Sequence, residues 1–208
     1  MSPIPFTPAL QAQIRERLAD WPATRTPETP LKRAAVSIVI TSNEAGHAVM
    51  LLTKRSRGLN NHAGQYALPG GRIDAGETEQ EAALREMREE IGLTLPPDAM
   101  LGRLDDYPTR SGYLIAPWVA WAEAHHPMQA NPDEVAAIFR VPLTDLVRPG
   151  SPEFVTIPES DRPVIRYPIL DTLIHAPTAA LMYQFMEVAI AGRATRVAHL
   201  EQARFAWR

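Results

Sequence analysis

Residues 71–93 read GRIDAGETEQEAALREMREEIGL, and this stretch predicts a helix with metal-binding chemistry on one face. Glu86, Glu89 and Glu90 stand at positions i, i+3 and i+4, which lie on the same side of an α-helix. Carboxylates at this spacing repel one another, so their clustering indicates a bound cation such as Mg²⁺ or Mn²⁺. A neighbouring apolar stripe is expected to pack against a core, and it consists of Ala83, Leu84, Met87 and Ile91.

The residues around this helix decide between a metal site and an ordinary acidic surface. An E-x-x-E-E pattern alone is more typical of a solvated helix face. Here residues 68–71 (LPGG) predict a strand that runs into a tight turn before the helix, and Gly92 provides the positive φ that ends many helices. Arg85 lies four residues from both Glu81 and Glu89, where a guanidinium can hold a carboxylate in position. This context favours the metal site.

The whole stretch fits the pattern G-x5-E-x7-R-E-U-x-E-E-x-G-U, where U is a bulky aliphatic residue, at every fixed position. It resembles the Nudix box, the signature of hydrolases that cleave a nucleoside diphosphate linked to another moiety. The resemblance implies an α/β (α+β) fold in which a mixed β-sheet lies between helices and the box forms a loop–helix–loop. It also implies a diphosphatase whose cofactor is Mg²⁺ or Mn²⁺.

The resemblance assigns roles to residues of the box. The metal ligands are expected to be Glu86, Glu89 and Glu90, together with a backbone carbonyl at Gly70 or Gly71. Glu77 and Arg85 are expected to orient these carboxylates. The general base remains open, because Glu86 or Glu89 could serve, and so could an acidic residue on a downstream loop. The downstream candidates are Glu134, Glu153, Glu159 and Asp161.

Hydrophobic patterns outline the rest of the chain. Helices are predicted over residues 7–21 and 178–191, the second with Thr178 as its N-cap. Strands are predicted over residues 34–41, 48–54, 65–68, 134–141 and 164–168, and residues 101–107 and 113–122 are expected to pair as a hairpin. We therefore expect an N-terminal helical extension and linker (1–30), a Nudix domain (31–190) and a C-terminal tail (191–208). The tail carries Val197, Leu200, Phe205 and Trp207, which suit docking on its own domain or on a partner chain.

Composition excludes several classes of protein. The 208 residues are 45% hydrophobic with a formal net charge of −3, which suits a globular domain and argues against nucleic-acid or membrane-surface binding. The absence of cysteine excludes disulfides and thiolate chemistry. With no secretory signal or membrane-spanning run in the sequence, a cytoplasmic protein is expected. Members of the resembled family are often dimers, which implies a homodimer.

Flanking residues bear on the substrate. Residues 51–71 resemble the coenzyme A diphosphatase branch motif L-L-T-x-R-S/A-x3-R-x3-G-x3-F-P-G-G, although Asn60 replaces an arginine and Leu68 a phenylalanine. Further similarity lies at 109–113, 131–135 and 174–179, where His175 replaces a tryptophan. The basic residues before the turn favour a polyanionic ligand, and His62 and Gln65 are expected to line its pocket. The substrate-binding candidates are therefore Lys54, Arg55, Arg57, His62 and Gln65.

Three functions remain open on this reading. Coenzyme A or an acyl derivative is the expected substrate. ADP-ribose, a dinucleotide or another nucleoside diphosphate derivative is the alternative, favoured by Asn60 and His175. A non-catalytic nucleotide-sensing module is the alternative from another class, which the intact set of box carboxylates argues against.

Overall fold

The computed structural model describes residues 2–56, 64–124 and 126–207. In this part of the chain three α-helices accompany eleven strands. The helices are α1 (Pro8–Asp20), α2 (Glu79–Ile91) and α3 (Thr178–Phe185), and α3 continues into a π-helical turn at Met186–Ile190. The strands are β1 (Lys32–Ser42), β2 (Ala48–Arg55), β3 (Tyr66–Ala67), β4 (Gly70–Arg72), β5 (Met100–Arg103), β6 (Tyr107–Pro108), β7 (Tyr113–Trp121), β8 (Val135–Pro142), β9 (Glu153–Ile157), β10 (Ser160–Ile169) and β11 (Thr172–His175).

The larger sheet is mixed and lies between helices, as the sequence predicts. Strand β1 pairs in parallel with β7 and antiparallel with β2, and β2 pairs along its other edge with β8. Because side chains alternate between the two faces of a strand, Ile38 and Ile40 of β1 join a core that includes residues of α1 and α3. Ala35 and Val39 instead contact the core formed by the buried face of α2.

Strands β1 and β2 separate at one end, and the chain that precedes α2 fills the gap between them. The two strands pair only near their connection, at Ile40–Met50 through Ser42–Ala48. Farther along, β3 occupies the edge of β2 at residues 53–54, and β4 occupies the edge of β1 at residues 34–36. The LPGG turn (residues 68–71) therefore lies between the separated ends of β1 and β2, directly before the box helix.

The structure departs from the sequence prediction in three elements. The predicted hairpin strand 101–107 is divided into β5 and β6, because Asp105 and Asp106 turn inward to accept hydrogen bonds from the backbone N–H groups of Thr24 and Thr26. The strand predicted at 164–168 is longer and is flanked by β9 and β11, which together form a separate three-stranded antiparallel sheet. Thr178 lies inside α3 rather than at its N-cap, which is Pro177.

The C-terminal tail docks on its own chain. Val197 and Leu200 are buried in the same core as α1 and α3. The N–H of Glu201 donates to the carbonyl of Pro163 at 2.8 Å, next to a parallel bridge between Glu201 and Val164 of β10. None of the described helices combines the length and the apolar character that crossing a membrane would require.

Candidate metal and diphosphate site

Helix α2 has well-defined ends, which fix the direction of its acidic side chains. The Thr78 hydroxyl accepts a hydrogen bond from the N–H of Glu81 at 3.2 Å, and the Glu81 carboxylate accepts one from the N–H of Thr78 at 2.8 Å. This reciprocal capping box satisfies N–H groups that have no partner inside the helix. At the other end Gly92 adopts φ +67°, which costs glycine no steric strain. The buried face comprises Ala82, Ala83, Met87 and Ile91.

Three carboxylates meet beside this helix, and one of them comes from a distant loop. Oxygen atoms of Glu86, Glu90 and Glu134 all lie within 4.8 Å of one another. Glu134 directly precedes β8, and its carbonyl accepts a hydrogen bond from the N–H of Ser56 at 2.8 Å. The same loop is held to the end of α2 because the N–H of Asn131 donates to the carbonyl of Glu90 at 2.9 Å. The fold thereby adds a carboxylate to those of the box.

Glu89 takes a different position from the one that its spacing suggests. Its side chain is 45% exposed, and its Oε2 accepts a hydrogen bond from Nη1 of Arg85 at 3.0 Å. Among the described residues the group close enough to hold one ion contains Glu134 and not Glu89. Glu89 therefore lies beside the cluster and is linked to Glu86 through Arg85, whose Nη1 donates a hydrogen bond to both carboxylates.

Arg85 ties the loop before the helix to the acidic face. Its Nε and Nη2 donate to the two carboxylate oxygens of Glu77 at 2.8 and 3.0 Å, and its Nη1 donates to Oε1 of Glu86 at 2.8 Å. Nη2 also donates to the carbonyl of Arg72 at 2.9 Å. The predicted contact between Arg85 and Glu81 is not formed, because the Glu81 carboxylate is used by the capping box. A guanidinium with this many partners orients Glu86 towards the turn.

The glycine turn fits closely against the carboxylates. A Cβ atom on Gly71 would stand 2.3 Å from Oε1 of Glu86, and one on Gly70 would stand 2.3 Å from the carbonyl oxygen of Ala35. The N–H of Gly70 donates to Oε2 of Glu90 at 3.1 Å. Gly70 cannot be replaced without moving backbone atoms of β1, whereas a larger residue at Gly71 would displace the Glu86 carboxylate.

Burial raises the free energy of the charged carboxylates in the cluster. The pKa of Glu90 is raised to about 7, mainly by burial and in addition by the neighbouring Glu86 and Glu134 carboxylates, while the N–H of Gly70 and the Arg55 guanidinium oppose the rise. Burial likewise raises the pKa of Glu86, although the bond from Arg85 opposes it. The pKa of Glu77 is instead lowered by Arg85. Hard oxygen donors that repel one another in a half-buried site fit a divalent cation such as Mg²⁺, which would stabilise their charged forms.

A cavity of about 800 Å³ opens beside the turn. Lys54, Arg55 and Gln65 line it, as the sequence predicts, and so do Gly70 and Gly71. Nη1 of Arg55 also lies 3.7 Å from Oε1 of Glu90. The predicted substrate-binding residues Arg57 and His62, like Asn60, lie outside the described residues.

Residues around β11 and of the C-terminal tail also line the cavity, including His175, Gln202 and Phe205. Of these three, only His175 was related to the substrate from the sequence, as a departure from the branch motif. The apolar residues of the tail signalled docking, but the sequence contained no signal that the tail would reach this cavity. The other three downstream acidic candidates do not belong to the carboxylate cluster: Glu153 pairs with Arg166, Glu159 pairs with Arg204, and Asp161 is likewise outside it.

Comparison with known proteins identifies the family. A model of the NUDIX domain matches residues 31–165. The chain is 39% identical over 123 residues to the uncharacterized Nudix hydrolase NudL of Cronobacter sakazakii, which covers 57% of this chain and 62% of that protein. It is 33% identical over 144 residues to Nudix hydrolase 3 of Caenorhabditis elegans, which covers 65% of this chain and 60% of that protein. The chain thus spans about three-fifths of the length of these relatives.

Solved structures share the architecture. A MutT/nudix family protein from Enterococcus faecalis superposes with a TM-score of 0.55 at 16% identity, covering 85% of this chain and 69% of that one. An Ap4A hydrolase from C. elegans, solved as a binary complex, gives a TM-score of 0.50 at 21% identity, covering 78% of this chain and 99% of that one. At these identities the likeness concerns the fold. Since the domain model matches more than half of the chain and the described fold agrees with it, the protein belongs to the Nudix family.

Proposed function

We propose that this protein is a Mg²⁺- or Mn²⁺-dependent hydrolase that splits the diphosphate of coenzyme A or an acyl-coenzyme A. The products would be adenosine 3′,5′-bisphosphate and 4′-phosphopantetheine or its acyl form. The observation that carries the proposal is the meeting of Glu86, Glu90 and Glu134 beside a cavity lined by Lys54 and Arg55. Membership of the Nudix family supports hydrolysis of a nucleoside diphosphate derivative, and the choice of coenzyme A rests on the flanking sequence.

Glu86 and Glu90 are the residues that would hold the divalent ion, with a backbone carbonyl of the Gly70–Gly71 turn. When bound, the ion would neutralise charge on the diphosphate oxygens and activate water. Arg85 orients Glu86, and the N–H of Gly70 orients Glu90, so both carboxylates are held before a ligand arrives. Such pre-positioning limits the reorganisation needed during the reaction.

Glu134 is the best candidate for the residue that positions and deprotonates the attacking water. Its carboxylate lies with those of Glu86 and Glu90 although it belongs to a separate loop outside the helix. Glu89 is engaged by Arg85 and is 45% exposed, which suits a supporting role. We therefore expect Glu134→Gln to lower kcat by about 100-fold or more, because general-base catalysis is worth that much.

The matched control for this assignment is Glu89→Gln. It removes the same charge from the more exposed position, so its effect on kcat should be smaller than that of Glu134→Gln. If Glu89→Gln is the more damaging of the two, the base is Glu89 and the role given to Glu134 is wrong. Metal titration followed by calorimetry separates loss of the ion from loss of the base, since only the former changes metal affinity.

Charge on the cavity wall supports a polyanionic substrate. Lys54 and Arg55 line the cavity, and Arg55 lies 3.7 Å from Glu90; coenzyme A carries a 3′-phosphate in addition to its diphosphate. Leu68, which replaces the phenylalanine of the branch motif, is 4% exposed and belongs to the main core, and it also lines the cavity.

The second candidate is a hydrolase of ADP-ribose, a dinucleotide or another nucleoside diphosphate derivative. His175, which departs from the branch motif, lines the cavity, so this departure lies where it affects the ligand. A nucleotide-sensing module without activity is the candidate from another class. The meeting of carboxylates argues against it, because a site that only binds has no need of a base beside its metal ligands.

One panel of assays separates these functions. The protein is incubated with Mg²⁺ or Mn²⁺ and, in turn, coenzyme A, acetyl-coenzyme A, ADP-ribose, a dinucleotide and nucleoside triphosphates, and products are resolved by chromatography. Turnover of coenzyme A to the two products above supports the proposal. Turnover of ADP-ribose or the dinucleotide without coenzyme A overturns the substrate. Tight binding without turnover of any compound supports the sensor.

A further inference from the structure

The C-terminal tail is fixed to the fold along one side. The backbone carbonyl of Leu200 accepts a hydrogen bond from the hydroxyl of the buried Tyr107 at 3.0 Å. The Glu201 carboxylate accepts bonds from Arg110, from the hydroxyl of Ser160 at 3.0 Å and from the N–H of Gln202 at 2.9 Å. Beyond this anchor the tail forms a short 3₁₀ helix, Arg204–Trp207. The residues that follow Glu201 are thereby held against the cavity.

Gln202 carries a side-chain amide that can both donate and accept hydrogen bonds. The residue is 3% exposed and lines the cavity. Its backbone carbonyl accepts a bond from Nε1 of Trp207 at 2.9 Å, but within the described residues its side-chain amide makes no hydrogen bond. An amide on a largely buried residue that lines the cavity is available to a ligand that supplies both a donor and an acceptor.

Phe205 stands three residues further along the tail and also lines the cavity. Its side chain is 57% exposed, which is unusual for an aromatic residue of a folded segment. It meets the His175 ring edge-on, with ring centroids 5.1 Å apart and an interplanar angle of 87°. This contact orients the ring while leaving much of it uncovered, as a stacking surface requires.

We propose that Gln202 and Phe205 form a subsite for the purine base of the substrate, with the amide reading the base edge and the ring stacking on its face. A glutamine amide can bond in a bidentate way to the amino group and N7 of adenine. The proposal rests on the function proposed above, since Gln202 and Phe205 line the same cavity as Lys54 and Arg55. An acyl or other alkyl chain suits this position less well, because it would leave the amide of Gln202 unsatisfied.

Binding measurements test the subsite without requiring turnover. Affinities of the full chain for ADP, inosine diphosphate and inorganic pyrophosphate are measured by calorimetry in magnesium buffer, and chromatography checks that the ligands stay intact. Phe205→Leu should weaken ADP binding by about tenfold, as loss of base stacking does, and should leave pyrophosphate binding unchanged. Gln202→Leu should abolish a preference of about tenfold for ADP over inosine diphosphate.

Phe154→Ala is the matched control. Phe154 is a similarly exposed phenylalanine, at 48%, that contacts Tyr183 and does not line the cavity. Its replacement should leave all three affinities unchanged, and thermal unfolding of each variant checks that it is folded. If Gln202→Leu does not fold, Gln202→Asn, which withdraws the amide, takes its place.

The outcomes separate this subsite from the proposed activity. ADP binding that is unchanged in Phe205→Leu and in the Gln202 variant overturns the subsite, and so does an equal loss for ADP and pyrophosphate. If the protein hydrolyses no substrate but shows the expected base-dependent losses of affinity, the subsite is supported and the proposed activity is overturned. If all variants turn over the substrate equally well, the activity is supported and the subsite is overturned.

Discussion

Replacing Glu201 by glutamine should change how the stability of this protein depends on pH. The carboxylate is 1% exposed, and its Oε2 lies 2.5 Å from Nη2 of Arg110. The bond from Arg110, with those from Gln202 and Ser160, lowers the pKa of Glu201 from 4.5 to about 2, against the opposing effect of burial. The unfolded chain therefore takes up a proton at a higher pH than the native protein does. Stability from this group is full above about pH 4.5 and is lost as the pH falls towards about 2.

The size of the effect follows from the same shift. A change in pKa from 4.5 to about 2 corresponds to about 3 kcal/mol of stability at neutral pH. The Arg110 side chain is 45% exposed, and screening by solvent reduces the value to roughly 1–2 kcal/mol. Glu201→Gln should lose this amount at pH 7. At about pH 3 the difference from the native sequence should be less than half as large, because much of the wild-type advantage has already been lost.

Denaturant unfolding of both proteins at several pH values measures this difference. Glu153→Gln is the control, because it removes a carboxylate from the more exposed pair with Arg166. It should lower the free energy of unfolding at pH 7 by less than Glu201→Gln does, since solvent screens this pair more strongly. A Glu201→Gln variant that is as stable as the wild type at pH 7, or whose deficit is the same at pH 7 and at pH 3, would refute the reasoning from the ion pair.

Three further predictions concern the box. Glu90→Gln should reduce turnover by orders of magnitude, yet raise the thermal midpoint of the metal-free protein, because it removes one of three clustered carboxylates. Differential scanning calorimetry with and without Mg²⁺ measures both the midpoint and the loss of metal stabilisation. A lower metal-free midpoint would contradict the prediction. Gly71→Ala should weaken metal binding by about tenfold or more, since its Cβ would stand 2.3 Å from Oε1 of Glu86; an unchanged calorimetric titration would show that the turn can move aside. Thr78→Ala removes the hydroxyl that accepts the N–H of Glu81 and should cost about 1 kcal/mol in denaturant unfolding, whereas Thr78→Ser should retain most of the stability.

Local sequence was sufficient to predict the box helix and the face that carries Glu86 and Glu90. The fixed positions of the box placed Glu86 and Glu90 on one face, and Gly92 ends the helix with the positive φ expected of it. These features depend on neighbours within about one helical turn, where spacing determines geometry. Spacing alone was insufficient for Arg85, which is equally distant from Glu81 and Glu89. The capping box takes up the Glu81 carboxylate, and Glu77 in the preceding loop takes its place beside Arg85.

The sequence by itself therefore determined the family and the box helix, because both follow from residues close together in the chain. The tertiary structure decided which carboxylate completes the cluster and that the C-terminal tail lines the cavity. Glu134 reaches Glu90 only because β8 pairs with β2 in one register and its preceding loop bonds to the end of α2. Gln202 and Phe205 reach the cavity only because Glu201 is held by Arg110 and β10. Pairings between distant segments depend on the packing of the whole core, which periodicity in a single segment does not specify.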